Sequence, residues 1–245
     1  MRQFICPLII VAAIVGLAGC KENAVPANTA APTLSDATSA KAAESAKQAV
    51  LEKARDKADK SVPLESYQEL NSGNQLMYSY LALAGLPVDY RDIARSASVD
   101  YARSSDEFQK NDLLKALQPQ IDAAIAKAGS QRYFKIVIND PVQKYDFENK
   151  GFPVNSSVWE NNSYRYFSDN SSYRLSFTNG AGFHYLLNVP EEVARNIEHL
   201  RGVYNSMNLV IYCFVQEADP ASKMLKAEIV KIAVTDKKGA VLAQQ

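Results

Sequence analysis

The chain has 245 residues, 47% of them hydrophobic, and balances 27 lysines and arginines against 27 aspartates and glutamates. That neutrality gives no sign of a nucleic-acid binder. Three cysteines and two histidines leave little material for a disulfide framework or a metal centre.

At the start, Arg2 and the terminal amine precede an uncharged apolar stretch, Phe4 to Gly19, which ends in small residues and the charged pair Lys21 and Glu22. This is the layout of a signal peptide over residues 1–19. A membrane-spanning helix needs roughly 20 apolar residues, and this stretch is shorter and contains Pro7. Leu17, Ala18, Gly19 and Cys20 resemble the lipobox of bacterial lipoproteins, whose cysteine receives a diacylglyceryl group before cleavage on its amino side. The resemblance implies lipidation of Cys20 and anchoring to a membrane through acyl chains, two or more of which hold firmly where one does not. Lys21 follows the cysteine in place of the aspartate that marks inner-membrane retention, so the resemblance further implies the outer membrane, facing the periplasm. Cys6 leaves with the signal and Cys20 is committed to lipid, which leaves Cys213 without a partner in the mature chain.

Residues 20–62 are rich in Ala, Lys, Glu, Ser and Thr and hold no aromatic side chain. Such a composition buries too little apolar surface to offset its ordering entropy, and it predicts a tether. From Pro63 to the end at Gln245 the aromatics return at a length that suits one domain. Leu76, Met77, Tyr80, Leu81 and Ala84 fall at helical spacing, with Gly85 as a stop. Tyr90, Ile93, Ala94, Ala97 and Tyr101 mark a second helix. A third opens near Ser104, with Glu107 positioned for a capping box, and runs through Leu114, Leu117, Ile121 and Ile125 to Gly129; Pro119 is expected to kink or restart it.

After Gly129 the period changes to alternation. Strands are predicted at 132–139, at 173–178 with Tyr173, Leu175 and Phe177 on one face, and at 183–189 with Phe183, Tyr185, Leu187 and Val189 on one face. A helix follows Pro190, with Val193, Ile197 and Leu200 inward. LVIYCFVQ, apolar on both faces, reads as a central strand with Cys213 packed in the core. MLKAEIVKIAV then leads through a DKKG turn into AVLA as a closing hairpin. Helices first and strands later give an α+β fold, a single domain of N-terminal helices packed on a mainly antiparallel sheet with one later helix.

The sequence holds no HExxH, GxSxG, P-loop or Cys/His cluster at metal-ligand spacing, so it points to no catalytic residue, no metal site and no cofactor. His199 reads as a helix-terminal histidine. His184 faces away from Phe183 and Tyr185, toward the side of Arg174 if the two strands pair. The stretch 155–174 gathers the only tryptophan with three tyrosines, two arginines and many Asn and Ser; its plain reading is a polar hairpin or long loop whose aromatics pack back on the sheet, and its functional reading is a surface for a sugar or peptide. Trp159, Tyr164, Tyr166, Arg174 and His184 are the candidate binding residues.

SGNQLMYSYLALAGLPVDY, DEFQKNDLLKALQPQID, YDFENKGFP and VPEEVARNIEHLR resemble a domain of unknown function found in proteobacterial lipoproteins and other exported proteins, over roughly residues 63–240. The resemblance implies location and one-domain architecture and carries over no catalytic residue. The expectation is a lipid-anchored envelope module that binds an envelope protein, peptidoglycan or lipid partner and no nucleic acid. The alternatives are a periplasmic hydrolase working through carboxylates such as Asp89, Asp92, Asp100, Asp106, Asp146 or Glu148, and a lipid-handling protein with an apolar cavity.

Overall fold

The computed structural model describes residues 55–139, 141–154, 159–160, 163–203 and 206–245. The signal segment 1–19, Cys20 and the tether up to residue 54 lie outside the described residues.

Helix α1 (Gly73–Ala84) opens on a complete capping box: Ser72 accepts from the Asn74 N–H, the Gln75 side chain reaches back to the Ser72 N–H, and Gly85 ends the helix at φ +60°. Leu76, Met77 and Tyr80 are buried, as their spacing predicts. The second expected helix is two, α2 (Tyr90–Ala97) and α3 (Val99–Arg103), divided at Ser98. Serine competes for backbone groups: Ser98 turns extended and its hydroxyl accepts from the Tyr101 N–H, restarting the coil. Ile93, Ala94 and Tyr101 still point inward. Helix α4 (Glu107–Gly129) begins at the cap Asp106, which takes the N–H groups of Phe108 and Gln109, rather than at Ser104. It continues through Pro119 without restarting. The helix lies on the outside against α1, the proline is exposed, and the adjacent Gln120 side chain donates to the Ala116 carbonyl, so the missing donor lies toward water.

These helices form the crossover between two strands that pair in parallel, β1 (Gln68–Glu69) and β2 (Tyr133–Asn139). Beyond them come β3 (Gly151–Pro153), β4 (Arg165–Phe167), β5 (Asn170–Phe177), β6 (Tyr185–Leu187), helix α5 (Glu191–Arg201), and the long hairpin β7 (Met207–Asp219) and β8 (Met224–Asp236), closed by β9 (Val241–Gln244). The main sheet has seven strands in the order β1-β2-β7-β8-β5-β4, with β9 pairing β8 beyond the reach of β5. The fold is α+β as expected, and its sheet is mixed: β1 with β2 and β5 with β8 are parallel, the other pairs antiparallel.

The core lies between α1 and the inner face of this sheet, where Ile136, Leu175, Leu209, Ile211, Cys213, Val215 and Ile232 join Leu76 and Met77. Strand β7 is central and covered on both sides, and burial pushes the Cys213 thiol up to about 12. Its second face is covered by the chain's own N-terminal strap and by Arg132. The Tyr67 ring meets Tyr133 and Tyr212 edge-on at 5.2 and 5.4 Å, and the Arg132 guanidinium lies 4.5 Å over Phe214. Among the described residues, contacts with the domain are also made upstream of Pro63: Arg55 pairs with Glu217, Asp56 with Arg132, and the Ala58 and Asp59 N–H groups donate to Glu228 and Tyr133. Charged side chains and backbone groups make these contacts, so hydrophobic patterning does not reveal them.

One register expectation is overturned. Phe183 closes a 3₁₀ turn (Gly180–Phe183), and only residues 185–187 form the strand, β6. Leu186 is the buried residue, while Tyr185 is half-buried and Leu187 exposed. A one-residue slip inverts every facing. Here the 3₁₀ turn supplies the slip, and β3, not β5, is the pairing partner.

Candidate binding groove on the outer face of the sheet

Tyr164 and the β4–β5 hairpin form one wall of the site. Residue Arg165 pairs in register with the inward Leu175, so the alternation of the strand sends Tyr166 to the outer face. Tyr164 and Tyr166 are 41% and 54% exposed, with ring centroids 6.4 Å apart. The Arg174 guanidinium lies 4.5 Å over the Tyr164 ring, a cation–π contact that fixes both side chains. Arg165 is half-buried on the other side; desolvation holds its pKa below the usual guanidinium range, and its Nε finds no partner.

The tip of the hairpin is fixed to α1. Asp169 accepts from the Ser72 hydroxyl at 2.6 Å and from the Gly73 and Asn74 N–H groups at 2.8 and 3.2 Å, which places its charge at the positive end of the helix. Burial alone would push this carboxyl up; the bonds from Gly73, Ser72 and Asn74 outweigh it and hold it below the usual range. The approach is closest at Gly73, where a Cβ would stand 2.3 Å from the Asn170 carbonyl oxygen. Tyr164 and Tyr166 therefore sit beside a hairpin held at both its sheet pairing and its tip.

Beside them the outer face is hollow. A cavity of about 440 Å³ is bounded by Tyr164, Ser176, Thr178, Asp219, Lys226 and Arg55, and a neighbouring one of about 170 Å³ by Arg55, Lys57, Asn179, Gln216 and Glu228. Arg55 and Thr178 border both. The floor is a polar network. Gln216, 6% exposed, accepts from the Thr178 hydroxyl at 2.8 Å and donates to the Asp56 carbonyl at 2.8 Å. Arg55 and Lys226 share Glu217 at 2.9 and 3.8 Å. Asp219 is held below the usual carboxylate range, first by the Ser222 hydroxyl. The two hollows together offer hydroxyls, amides and both signs of charge beside the Tyr164 ring, groups suited to a hydroxylated and amide-bearing ligand.

The sequence candidates divide. Tyr164, Tyr166 and Arg174 come together; Trp159 and His184 do not join them. Trp159 is 2% exposed and packs between Phe177 and Phe183 at 6.3 and 6.4 Å. A ring of that size is drawn into the core by burial. His184 is exposed at the end of the 3₁₀ turn, and its neighbouring strand pairs with β3, away from Arg174. His199 sits exposed in the last turn of α5.

The carboxylates considered for hydrolysis have local duties. Asp89 and Asp106 cap helices, Asp92 pairs with Arg95, Asp100 lies in the first turn of α3, and Asp146 closes its turn by accepting from Asn149 and Glu148. Hydrogen bonds, first that from the Asn149 side chain, hold Asp146 below the usual range, away from the raised value a general acid needs. Glu148 is exposed beside it. Among the described residues no cluster of three His, Cys, Asp or Glu could hold a metal ion, and no helix is long and apolar enough to cross a membrane.

Sequence reading missed Arg55, Gln216, Asp219 and Lys226. Gln216 carried a signal as the polar interruption that ends LVIYCFV; Arg55 carried none within an Ala/Lys/Glu-rich segment. No protein-family model, curated protein or solved structure matches the chain.

Proposed function

We propose that this protein is a non-enzymatic binding module of the bacterial cell envelope, lipid-anchored at Cys20 and facing the periplasm from the outer membrane, which holds peptidoglycan in the groove beside Tyr164. The carrying observation is the exposed Tyr164, under Arg174 and next to the exposed Tyr166, at the edge of a 440 Å³ hollow of hydroxyls and paired charges whose smaller neighbour adds the Asn179 and Gln216 amides. A cell-wall strand presents sugar faces to aromatic rings and peptide amides and charges to polar groups, so it can use both halves of the groove. The lipobox-like residues 17–20 and the tether support the location.

Co-sedimentation with purified sacculi tests the reading. The wild type should sediment with them, and the doubly substituted Tyr164→Ala/Tyr166→Ala protein should lose about tenfold or more in affinity, because stacked aromatics carry a large share of such binding. Sedimentation that is absent, or equal in the two proteins, contradicts it. In the same cells Cys20→Ala should move the protein out of the membrane fraction.

A further inference from the structure

A second site lies away from the groove, where α2, α3 and α4 meet around a cavity of about 240 Å³ lined by Arg91, Arg95, Tyr101, Glu107, Lys110 and Asn111. It shares no lining residue with the groove. Two local preferences are broken at this one place. Arg91 sits in the first turn of α2, where a cation opposes the helix dipole. Arg91 and Arg95 are four apart on the same short helix, a like-charge spacing that destabilises it. Lys110, from the first turns of α4, brings a third positive charge to the same cavity. Sequences tend to give up local stability of this kind at functional sites.

The available acids do not neutralise the cluster. Glu107 is the only acid lining the cavity, and it pairs with Lys110 at 2.9 Å. Arg95 reaches Asp92 at 3.5 Å in a pair whose side chains are at least half exposed, and such pairs contribute little. Arg91 has no carboxylate within 4.0 Å among the described residues. Arg91, Arg95, Lys110 and Asn111 therefore line one hollow in which three cations face a single lining acid.

We infer that this cavity binds a phosphoryl group. A phosphate monoester brings close to two negative charges and three acceptor oxygens, and the planar guanidinium fork matches two of those oxygens at once. A carboxylate brings one charge and two oxygens and would leave a cation unmatched. The same chemistry is presented by a soluble phosphate ester and by the monoester headgroup of a lipid.

The test uses the full lipidated chain in phosphatidylcholine vesicles, with the fluorescence of Trp159, the only tryptophan and a buried one, reporting thermal unfolding. A ligand that binds the folded state raises the melting temperature. Inorganic phosphate should do so above chloride at equal ionic strength. Arg91→Gln should weaken that effect about tenfold or more, the worth of a charge-assisted contact, and Arg91→Lys should retain part of it. Lys115→Gln, outside the cavity, should leave it unchanged. In a second arm, phosphatidic acid replaces part of the phosphatidylcholine and no free phosphate is present: an Arg91-dependent rise there assigns a lipid headgroup, and a rise with phosphate alone assigns a soluble ester. No rise in either arm, or a rise of equal size in Arg91→Gln, overturns the inference.

Discussion

Tyr67 is packed edge-on against two tyrosines with its hydroxyl buried and without a hydrogen-bond partner; desolvation first, then Tyr133 and Cys213, push its pKa up to about 12. A buried orphan hydroxyl costs more than a missing one. Tyr67→Phe should therefore leave stability unchanged or raise it by about 1 kcal/mol, measured as the denaturation midpoint, and a loss of comparable size would show that the hydroxyl has a partner. Asp169 works in the opposite sense. Its folded pKa lies below its ordinary value of 3.8, so its stabilisation is complete above that value and disappears as pH falls through the lower folded value. Asp169→Ala should cost about 1 kcal/mol at neutral pH, as loss of a helix cap does. The gap between variant and wild type should narrow as pH falls below 3.8, and a gap that does not change with pH would assign the cost to packing. Gly73 belongs to the same junction: the carbonyl of Asn170 occupies the space a side chain would need.

Among the elements, the strap Arg55–Val62 determines how the outer face is built. Arg132 joins it to the sheet, donating to Asp56 and to the Val215 and Gln216 carbonyls while its guanidinium covers Phe214. Arg132→Ala should loosen the strap, and trypsin should then cut after Arg55, Lys57 and Lys60 several-fold faster than in the wild type, since local opening governs such cleavage. Equal rates would mean that the strap is held by other contacts. Legibility in the sequence follows the same division. Helix α1 and strands β2 and β5 were readable because their apolar residues follow a single period, 3.6 or 2, and β7 and β8 because long apolar runs mark strands covered on both faces. Ser98 and Phe183 broke their patterns through local backbone choices, a cap and a 3₁₀ turn, which leave the apolar spacing intact and so leave no trace in it. The parallel pairing of β5 with β8 depends on which strands meet, a long-range choice that patterning does not encode.

At the scale of the whole molecule, the helices cover one face of a mixed sheet and the strap covers part of the other, leaving a hollow between the strap and the β4–β5 hairpin. The site was half legible. Tyr164, Tyr166 and Arg174 stood out as aromatic and basic residues in a polar stretch, whereas Trp159 shared that signal and is core, because composition does not separate an exposed ring from a buried one. Arg55 and Lys226 reach the groove only through the fold. That the outer-face groove is the binding surface is the central claim, and hydrogen exchange of the full chain with and without soluble peptidoglycan fragments tests it most directly. Slowed exchange confined to residues 55–59, 164–178 and 224–228 is the predicted footprint. Protection centred elsewhere, such as the apolar groove of Tyr145, Phe147 and α5, or no protection at all, would contradict it.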